Sequence, residues 1–261
     1  MTSCFTNFAS MKFKIYIEYA GGNYSGWQKQ SKQDKTKTVQ GTLIKAIEEV
    51  LKNSKGNSRR IDLQASGRTD AGVHAIEQIA HLECETMLAP EILKMKINDL
   101  LPSDINILEI EKAPKNFHAR HDAKARQYLY VISKHRTAFE KRFVWWVKDS
   151  LDINKMKSAA KIFIGMHDFK NFSDDSPEDK STKCMVGLLE VTEDENKIYI
   201  RINASHFLWK MVRRIVGVLV EAGRGNFSNE DILKLFTAKD KSEISKLTAP
   251  PSGLFLEKVY Y

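Results

Sequence analysis

Strand-like and helix-like segments alternate along the chain, and this alternation constrains the fold more than any other feature. Residues 13–19 alternate between apolar and more polar side chains, which predicts a half-buried first strand. From Val39 onward, apolar residues recur at helical spacing, and Thr38 is suited to be the N-cap of that helix. Further strands of the first half are predicted at residues 61–64, 75–83 and 105–110. A second helix is predicted to open at Pro90 and to end at Pro102, with a buried side formed by Ile92, Leu93, Ile97 and Leu100.

The second half of the chain follows a similar order of elements, although it shows no tandem sequence repeat. Ser205 is predicted to cap a long helix that runs to Ala222, with Gly223 at its C-terminal end. The other predicted helices cover residues 153–164 and 229–236, and the predicted strands cover residues 126–133, 143–147, 184–191, 197–203 and 253–260.

These patterns predict an α+β protein with two similar subdomains, each a mainly antiparallel sheet flanked by helices. Pro114 interrupts the pattern, so the N-terminal subdomain is placed at residues 11–113 and the C-terminal subdomain at residues 114–261. Residues 1–10 are interpreted as an N-terminal extension, with Met11 as an alternative start.

The charge of the chain favours a polyanionic partner. Lys and Arg total 41 against 33 Asp and Glu, which gives a net charge of +8 and a pI near 9.2. Such an excess suits phosphate binding, because each neutralised phosphate releases counterions. A basic surface can also simply keep a protein in solution, so the charge favours neither interpretation over the other.

Several classes of protein are disfavoured by what the sequence lacks. No apolar run approaches the roughly 18 residues of a membrane span, and the first ten residues do not resemble a secretory signal. Cys4, Cys84 and Cys184 lie far apart and form no CxxC pair, which argues against a disulfide framework and against a zinc site. The expected location is therefore the reducing cytoplasm, without a membrane partner.

The segment from Ser66 to Ala75 carries the most informative chemistry. Gly67 and Gly72 bracket an Arg-Thr-Asp triplet in a loop predicted between two strands. Glycines permit a tight backbone that can hold a side chain in a fixed pose, and an ionised Asp70 is suited to nucleophilic or general-base work. From these residues alone, a simple turn with a local ion pair is the commoner interpretation.

The nine residues 67–75, GRTDAGVHA, resemble the signature of the TruA family of tRNA pseudouridine synthases, and the resemblance runs from about Phe13 to the end of the chain. Further segments resemble motifs of that family in the same order, namely GWQ at 26–28, TVQG at 38–41, FHAR at 117–120, ARQYLY at 125–130, GMHDF at 165–169 with Phe172, FLWKMVRRIVG at 207–217 and APPSGLFL at 249–256.

The resemblance implies a role for five residues. Asp70 corresponds to the catalytic aspartate, and Arg68 beside it is implied to contact the RNA. Tyr128 is implied to lie against the target base and to handle the C5 proton. Arg213 is implied to pair with the aspartate, and Leu254 to flank the uracil. From pattern alone, Tyr128 and Leu254 could be core residues, and Arg213 could lie on a solvated helix face. His74 is interpreted as structural.

The resemblance also implies a reaction and its partners. The fold is expected to be pseudouridine synthase-like, with the active-site cleft between the two subdomains. The protein is expected to isomerise uridine to pseudouridine at positions 38, 39 and 40 of tRNA, in the anticodon stem-loop, as a homodimer. This isomerisation is redox neutral and needs no energy input, so no cofactor and no metal are expected.

Two segments depart from the family pattern and leave alternatives open. The first strand reads Tyr19-Ala20-Gly21 where the family has Tyr-Asp-Gly, and residues 173–183 are more acidic than usual. The same chemistry at other tRNA positions or on another RNA therefore stays open, as does an RNA-binding protein without catalysis. A glycosidase is less favoured, because it normally needs two acids across a cleft.

Overall fold

The structure is a computed structural model that describes residues 10–28, 36–54, 57–175 and 181–261. The chain divides into two compact units, Met1–Ala123 and Lys124–Tyr261. The sequence places this division after residue 113 instead. Residues beyond 113 stay with the first unit because they bond to it, as when the Ala119 N–H donates to Nδ1 of His81 at 3.2 Å. The predicted extension at residues 1–10 lies outside the described residues, except for Ser10.

The first unit is an antiparallel sheet flanked by two helices. Its elements are β1 (Ser10–Tyr19), α1 (Val39–Asn53), β2 (Asn57–Ala65), β3 (His74–Glu85), α2 (Pro90–Asn98) and β4 (Ile105–Lys112). The strand order is β4-β1-β3-β2. The alternation predicted for β1 is confirmed, since Phe13, Ile15, Ile17 and Tyr19 are all buried.

The helices of this unit begin where the sequence predicts. Thr38 caps α1 by accepting a hydrogen bond from the Gly41 N–H at 3.2 Å. Pro90 opens α2, but the helix ends at Asn98, whose side chain bonds the backbone of Ile107 in β4. Leu100 therefore falls in the following turn and is exposed, as is Ile92, so the predicted buried side is wrong for both residues.

The second unit has the same α+β character. Its elements are β5 (Ala125–Ser133), β6 (Trp145–Trp146), α3 (Ile153–Ile162), β7 (Gly165–Asp168), β8 (Lys183–Glu193), β9 (Lys197–Ala204), α4 (Met211–Arg224), α5 (Asn229–Thr237), α6 (Ser242–Lys246) and β10 (Leu254–Tyr260). Neighbouring strands are antiparallel in the order β10-β5-β9-β8-β7, and β6 pairs in parallel with the end of β5. In both units the α+β prediction with mainly antiparallel sheets is confirmed. No helix in the described ranges is long and apolar enough to cross a membrane.

The long helix α4 begins several residues later than predicted. Ser205 is not its cap, because its hydroxyl lies 3.1 Å from Nδ1 of His206 and its N–H bonds Met185. Lys210 adopts a left-handed conformation, with φ of 65°, directly before the first helical residue. At the other end Gly225, with φ of 83°, is the C-cap, whereas Gly223 lies inside the helix.

Candidate active site

Asp70 lies in a tight loop between β2 and β3. Its side chain is half-buried. Its carbonyl accepts a hydrogen bond from the Val73 N–H at 3.2 Å, and Gly72 takes the positive φ of 79° that this turn requires. The loop therefore presents a carboxylate from a short turn whose ends are fixed in two paired strands.

The segment before α1 packs against this loop. The Trp27 N–H donates to the Thr69 carbonyl at 3.0 Å. Gly26 has φ of +91°, and a Cβ there would lie 2.6 Å from the same carbonyl oxygen, so only glycine permits this approach. The first N–H groups of α1, from Val39 and Gln40, donate to the carbonyls of Gly26 and Trp27. The helix start thus holds the segment, and the segment holds the loop.

Arg68 and His74 flank the loop differently. Arg68 is exposed, and its Nε donates to Oε1 of Gln28 at 3.1 Å, so its guanidinium stays at the surface. His74 is buried, and its Nδ1 accepts a hydrogen bond from the Gly21 N–H at 3.0 Å. This contact fits the structural interpretation of His74.

Tyr128 and Leu254 lie on two paired strands of the second unit. Tyr128 is half-buried on β5, and its ring meets that of Phe207 edge to face, with 5.1 Å between centroids. Leu254 is buried at the start of β10 and pairs with Tyr130 of β5. Tyr128 is thus accessible enough to meet a ligand, whereas Leu254 is 5% exposed.

Arg213 lies on α4 and is fixed by the segment that leads into β10. Its Nε donates to the Ala249 carbonyl at 2.6 Å, and the Ala249 N–H donates to the Arg213 carbonyl at 3.0 Å. The next carbonyl, of Pro250, accepts from the Tyr130 hydroxyl at 2.7 Å. Burial raises the pKa of Tyr130, and the charge of Arg213 opposes that shift.

The arginine that is almost fully buried is Arg214 and not Arg213. Its side chain is 2% exposed and forms an ion pair with Asp174. Lys210 also contacts Asp174, with 2.8 Å between Nζ and Oδ2. Burial alone would raise the pKa of Asp174, but the hydrogen bonds from Lys210 and Arg214 outweigh it and hold that pKa below its ordinary value. The Arg214–Asp174 pair was not predicted from the sequence, which implies a pairing only for Arg213, with Asp70.

The described part of the acidic segment 173–183 is partly internal. Besides the Asp174 ion pair, Oδ2 of Asp175 accepts a hydrogen bond from the Trp209 N–H at 2.8 Å. These contacts tie residues 174 and 175 to α4 and to the residues just before it. Residues 176–180 lie outside the described residues.

The two units carry different chemical groups. The first carries the half-buried Asp70 carboxylate, and the second carries the half-buried side chains of Tyr128 and Arg213 and the buried Leu254. A carboxylate can supply nucleophilic or general-base chemistry, and a phenol can supply acid–base chemistry. Within the described ranges, no group of three or more His, Cys, Asp or Glu residues could hold a metal ion.

Comparison with known proteins finds strong similarity over nearly the whole chain. The sequence profile of a family described as tRNA pseudouridine synthase matches residues 15–122 and 159–261. A tRNA pseudouridine synthase A 2 of Bacillus cereus is 37% identical over 251 residues, which is 95% of this chain and 99% of the relative. Proteins of Clostridium tetani (tRNA pseudouridine synthase A 2) and Thermoanaerobacter sp. (tRNA pseudouridine synthase A) are each 36% identical, over 95% of this chain and 98% of the relative.

Proposed function

Because the chain belongs to the tRNA pseudouridine synthase family, we propose that it isomerises uridines of the tRNA anticodon stem-loop, at positions 38, 39 and 40, using Asp70. The observation that carries this proposal is the Asp70 loop: a half-buried carboxylate within the sequence GRTDAGVHA, on a turn braced by the segment before α1. An aspartate held in this way suits attack on a sugar carbon, because little reorganisation precedes the reaction.

Asp70 has two possible first steps, and both break the bond between N1 and C1′. The carboxylate either attacks C1′ or removes the proton from C2′. The uracil then turns and rejoins the sugar through C5, and the C5 proton is lost. Since the target must leave the base stack for this chemistry, the RNA presents a flipped nucleotide.

The other four residues support this step in the proposal. Arg213 keeps the carboxylate ionised, as a neighbouring guanidinium does. Tyr128 and Leu254 hold the detached uracil and exclude water, and Tyr128 or Asp70 itself takes the C5 proton. Arg68, whose guanidinium is exposed, contacts the RNA backbone. The isomerisation is redox neutral, so the proposal needs neither cofactor nor metal.

The substrate and setting of the enzyme belong to the same proposal. The net charge of +8 supports binding to tRNA through phosphates, which position an RNA without reading its sequence. We propose a cytoplasmic homodimer, following the family. Light scattering at micromolar concentration tests the dimer, and a monomeric mass would end that part of the proposal.

The test of the function is a pseudouridine map of total tRNA and of ribosomal RNA, each with and without the purified protein. The proposal expects new pseudouridines at tRNA positions 38, 39 and 40 and none in ribosomal RNA. Modification at other tRNA positions would keep the chemistry and correct the site. Binding of tRNA without any new pseudouridine would favour an RNA-binding protein without catalysis.

A further inference from the structure

We propose that Tyr19 and Gln78 are positioning residues for the reaction, because they hydrogen-bond residues of the Asp70 loop from inside the first unit. Both act through other groups and neither is proposed to touch the substrate. This inference rests on the proposed role of Asp70.

Tyr19 reaches the loop directly before Asp70. Its hydroxyl lies 2.8 Å from Oγ1 of Thr69, and both side chains are buried. Burial raises the pKa of Tyr19 to about 12, while hydrogen bonding to Thr69 and Gln78 works in the opposite direction. The phenol is therefore uncharged at neutral pH and serves as a fixed hydrogen-bonding group beneath the loop.

Gln78 holds the first two residues of the loop. Its Oε1 accepts a hydrogen bond from the Ser66 hydroxyl at 2.8 Å, and its Nε2 donates to the Gly67 carbonyl at 3.0 Å. Gln78 is 0% exposed and Ser66 is 1% exposed, so water does not compete for these contacts. A glutamine buried in the middle of β3 costs free energy unless its amide is satisfied, and this amide is satisfied by the loop.

Together the two side chains bond residues 66, 67 and 69, which are three of the four residues that precede Asp70. The backbone N–H of Trp27 holds the same stretch through its bond to the Thr69 carbonyl. If one anchor is removed, its partner loses a buried hydrogen bond, and conformations that expose this partner become favoured. The population of the reactive loop conformation, and with it the rate of the chemical step, falls accordingly.

The first test is Tyr19→Phe, with Tyr16→Phe as the matched control. Tyr16 lies on the same strand, and its hydroxyl donates to Glu111 at 2.7 Å, away from the loop. For Tyr19→Phe we expect the single-turnover rate of pseudouridine formation to fall about ten-fold, with KM and tRNA binding changed less than about two-fold. Tyr16→Phe is expected to keep the wild-type rate.

The second test is Gln78→Met, with Gln64→Met as its control. The Gln64 amide on β2 bonds the exposed Asp62 side chain of the same strand, so its loss leaves the loop contacts of Gln78 in place. Gln78→Met is expected to lower the single-turnover rate about ten-fold or more, again with little change in KM. A loss of general stability would instead lower the active fraction, which titration of tRNA-binding sites measures separately.

A double variant tests whether Tyr19 acts through Thr69. Tyr19→Phe combined with Thr69→Val removes both hydroxyls of this contact together. We expect the double variant to be no slower than Tyr19→Phe alone, because the two effects are not additive for residues in contact. Losses that multiply would overturn the proposed path from Tyr19 to the loop.

Two further results would overturn the inference. One is a Tyr19→Phe rate equal to that of Tyr16→Phe together with a Gln78→Met rate equal to that of Gln64→Met. The other is a loss that appears wholly in KM. Neither result touches the role of Asp70, which Asp70→Asn tests separately: an active Asp70→Asn enzyme would overturn the proposed function, whatever Tyr19 and Gln78 do.

Discussion

At the scale of single residues, two adjacent arginines on α4 make different contacts. Successive residues of a helix point about 100° apart, so Arg213 and Arg214 face different surroundings. Arg213 bonds the Ala249 carbonyl near Tyr130, whereas Arg214 is buried against Asp174. Arg214 thus supplies the internal contact between α4 and the acidic segment, and Arg213 is the arginine that the proposal assigns to the reaction.

Asp174→Asn is predicted to destabilise the protein, since it removes the carboxylate that pairs with the buried Arg214. Breaking a buried ion pair costs about 3–5 kcal/mol, and a surface pair contributes about 1 kcal/mol or less. The matched control is Asp149→Asn, because Asp149 pairs with Arg224 of the same helix at the surface. Urea unfolding at pH 7 measures both, and equal losses would contradict the account of Arg214.

The lowered pKa of Asp174 predicts how the stability of the protein depends on pH. The folded-state pKa of Asp174 lies below its ordinary value of 3.8. A depressed carboxylate pKa stabilises the fold fully above the ordinary value, and that stabilisation is lost as pH falls through the folded-state pKa. The stability difference between wild type and Asp174→Asn should therefore be constant at neutral pH and shrink below pH 3.8. A difference that shrinks already well above that value, close to neutral pH, would point to another group.

At the scale of elements, Gly217 allows α4 to lie close to the segment that follows α6. A Cβ at Gly217 would lie 1.7 Å from the carbonyl oxygen of Leu247, which is a backbone atom and cannot turn away. At Gly223 in the same helix, the nearest atom is Cγ of the flexible Met156 side chain, at 2.9 Å. The two positions therefore differ in what an added methyl group would displace.

Gly217→Ala is predicted to destabilise the protein although alanine favours helices by about 1 kcal/mol over glycine. Overpacking against the Leu247 backbone costs more than that gain, so a net loss of about 2 kcal/mol is expected. Gly223→Ala should cost less than Gly217→Ala, since its nearest neighbours are side-chain atoms and not a backbone carbonyl. Urea unfolding of both variants tests this, and a stabilised Gly217→Ala protein would contradict the close approach.

Elements with a strong period were predictable from sequence, and those set by tertiary contacts were not. The alternation of β1 and the Thr38 cap of α1 reflect local rules, and the structure confirms both. The predicted start of α4 is too early because residues 205–210 continue the apolar pattern of the helix. Contacts of Ser205 and the left-handed conformation of Lys210 prevent the helix from starting there. The short β7 was also missed, since four residues carry too little periodic signal.

The candidate site also contains some residues that the sequence indicates and others that it does not. Asp70 and Arg213 are singled out only because their surrounding sequence resembles a family, since a turn and a charged helix face would otherwise explain them. The anchoring by Tyr19 and Gln78 was not predicted, because the bonds join residues 50 and 12 positions apart. Tyr19 was expected merely as a core residue of β1. Its hydroxyl partner becomes visible only when β1 and the loop are folded together.

At the scale of the whole molecule, the net charge of +8 predicts how tRNA is bound. If phosphate contacts position the tRNA body, several of them must be lost together when salt rises. Binding should weaken by at least about ten-fold between about 50 and 200 mM salt, measured by filter binding. A salt-independent affinity would contradict this mode of binding.

Contacts to the tRNA body also predict a preference for the whole molecule over its parts. An isolated anticodon stem-loop contains positions 38, 39 and 40 but lacks most phosphates that could dock. Its kcat/KM should therefore be far below that of whole tRNA, in parallel assays at the same salt. Equal values for the two substrates would mean that contacts within the stem-loop suffice.

The central claim is that Asp70 performs the chemistry, and Asp70→Asn tests it most directly. Asparagine keeps the size of the side chain but cannot be a carboxylate nucleophile or base. Asp99→Asn is the matched control, because Asp99 is an exposed aspartate at the end of α2 in the same unit. The measurement is single-turnover pseudouridine formation in whole tRNA, alongside tRNA binding. The account predicts a rate at least about a thousand-fold lower for Asp70→Asn, with binding nearly unchanged and a normal rate for Asp99→Asn. An Asp70→Asn enzyme that forms pseudouridine at close to the wild-type rate would contradict it.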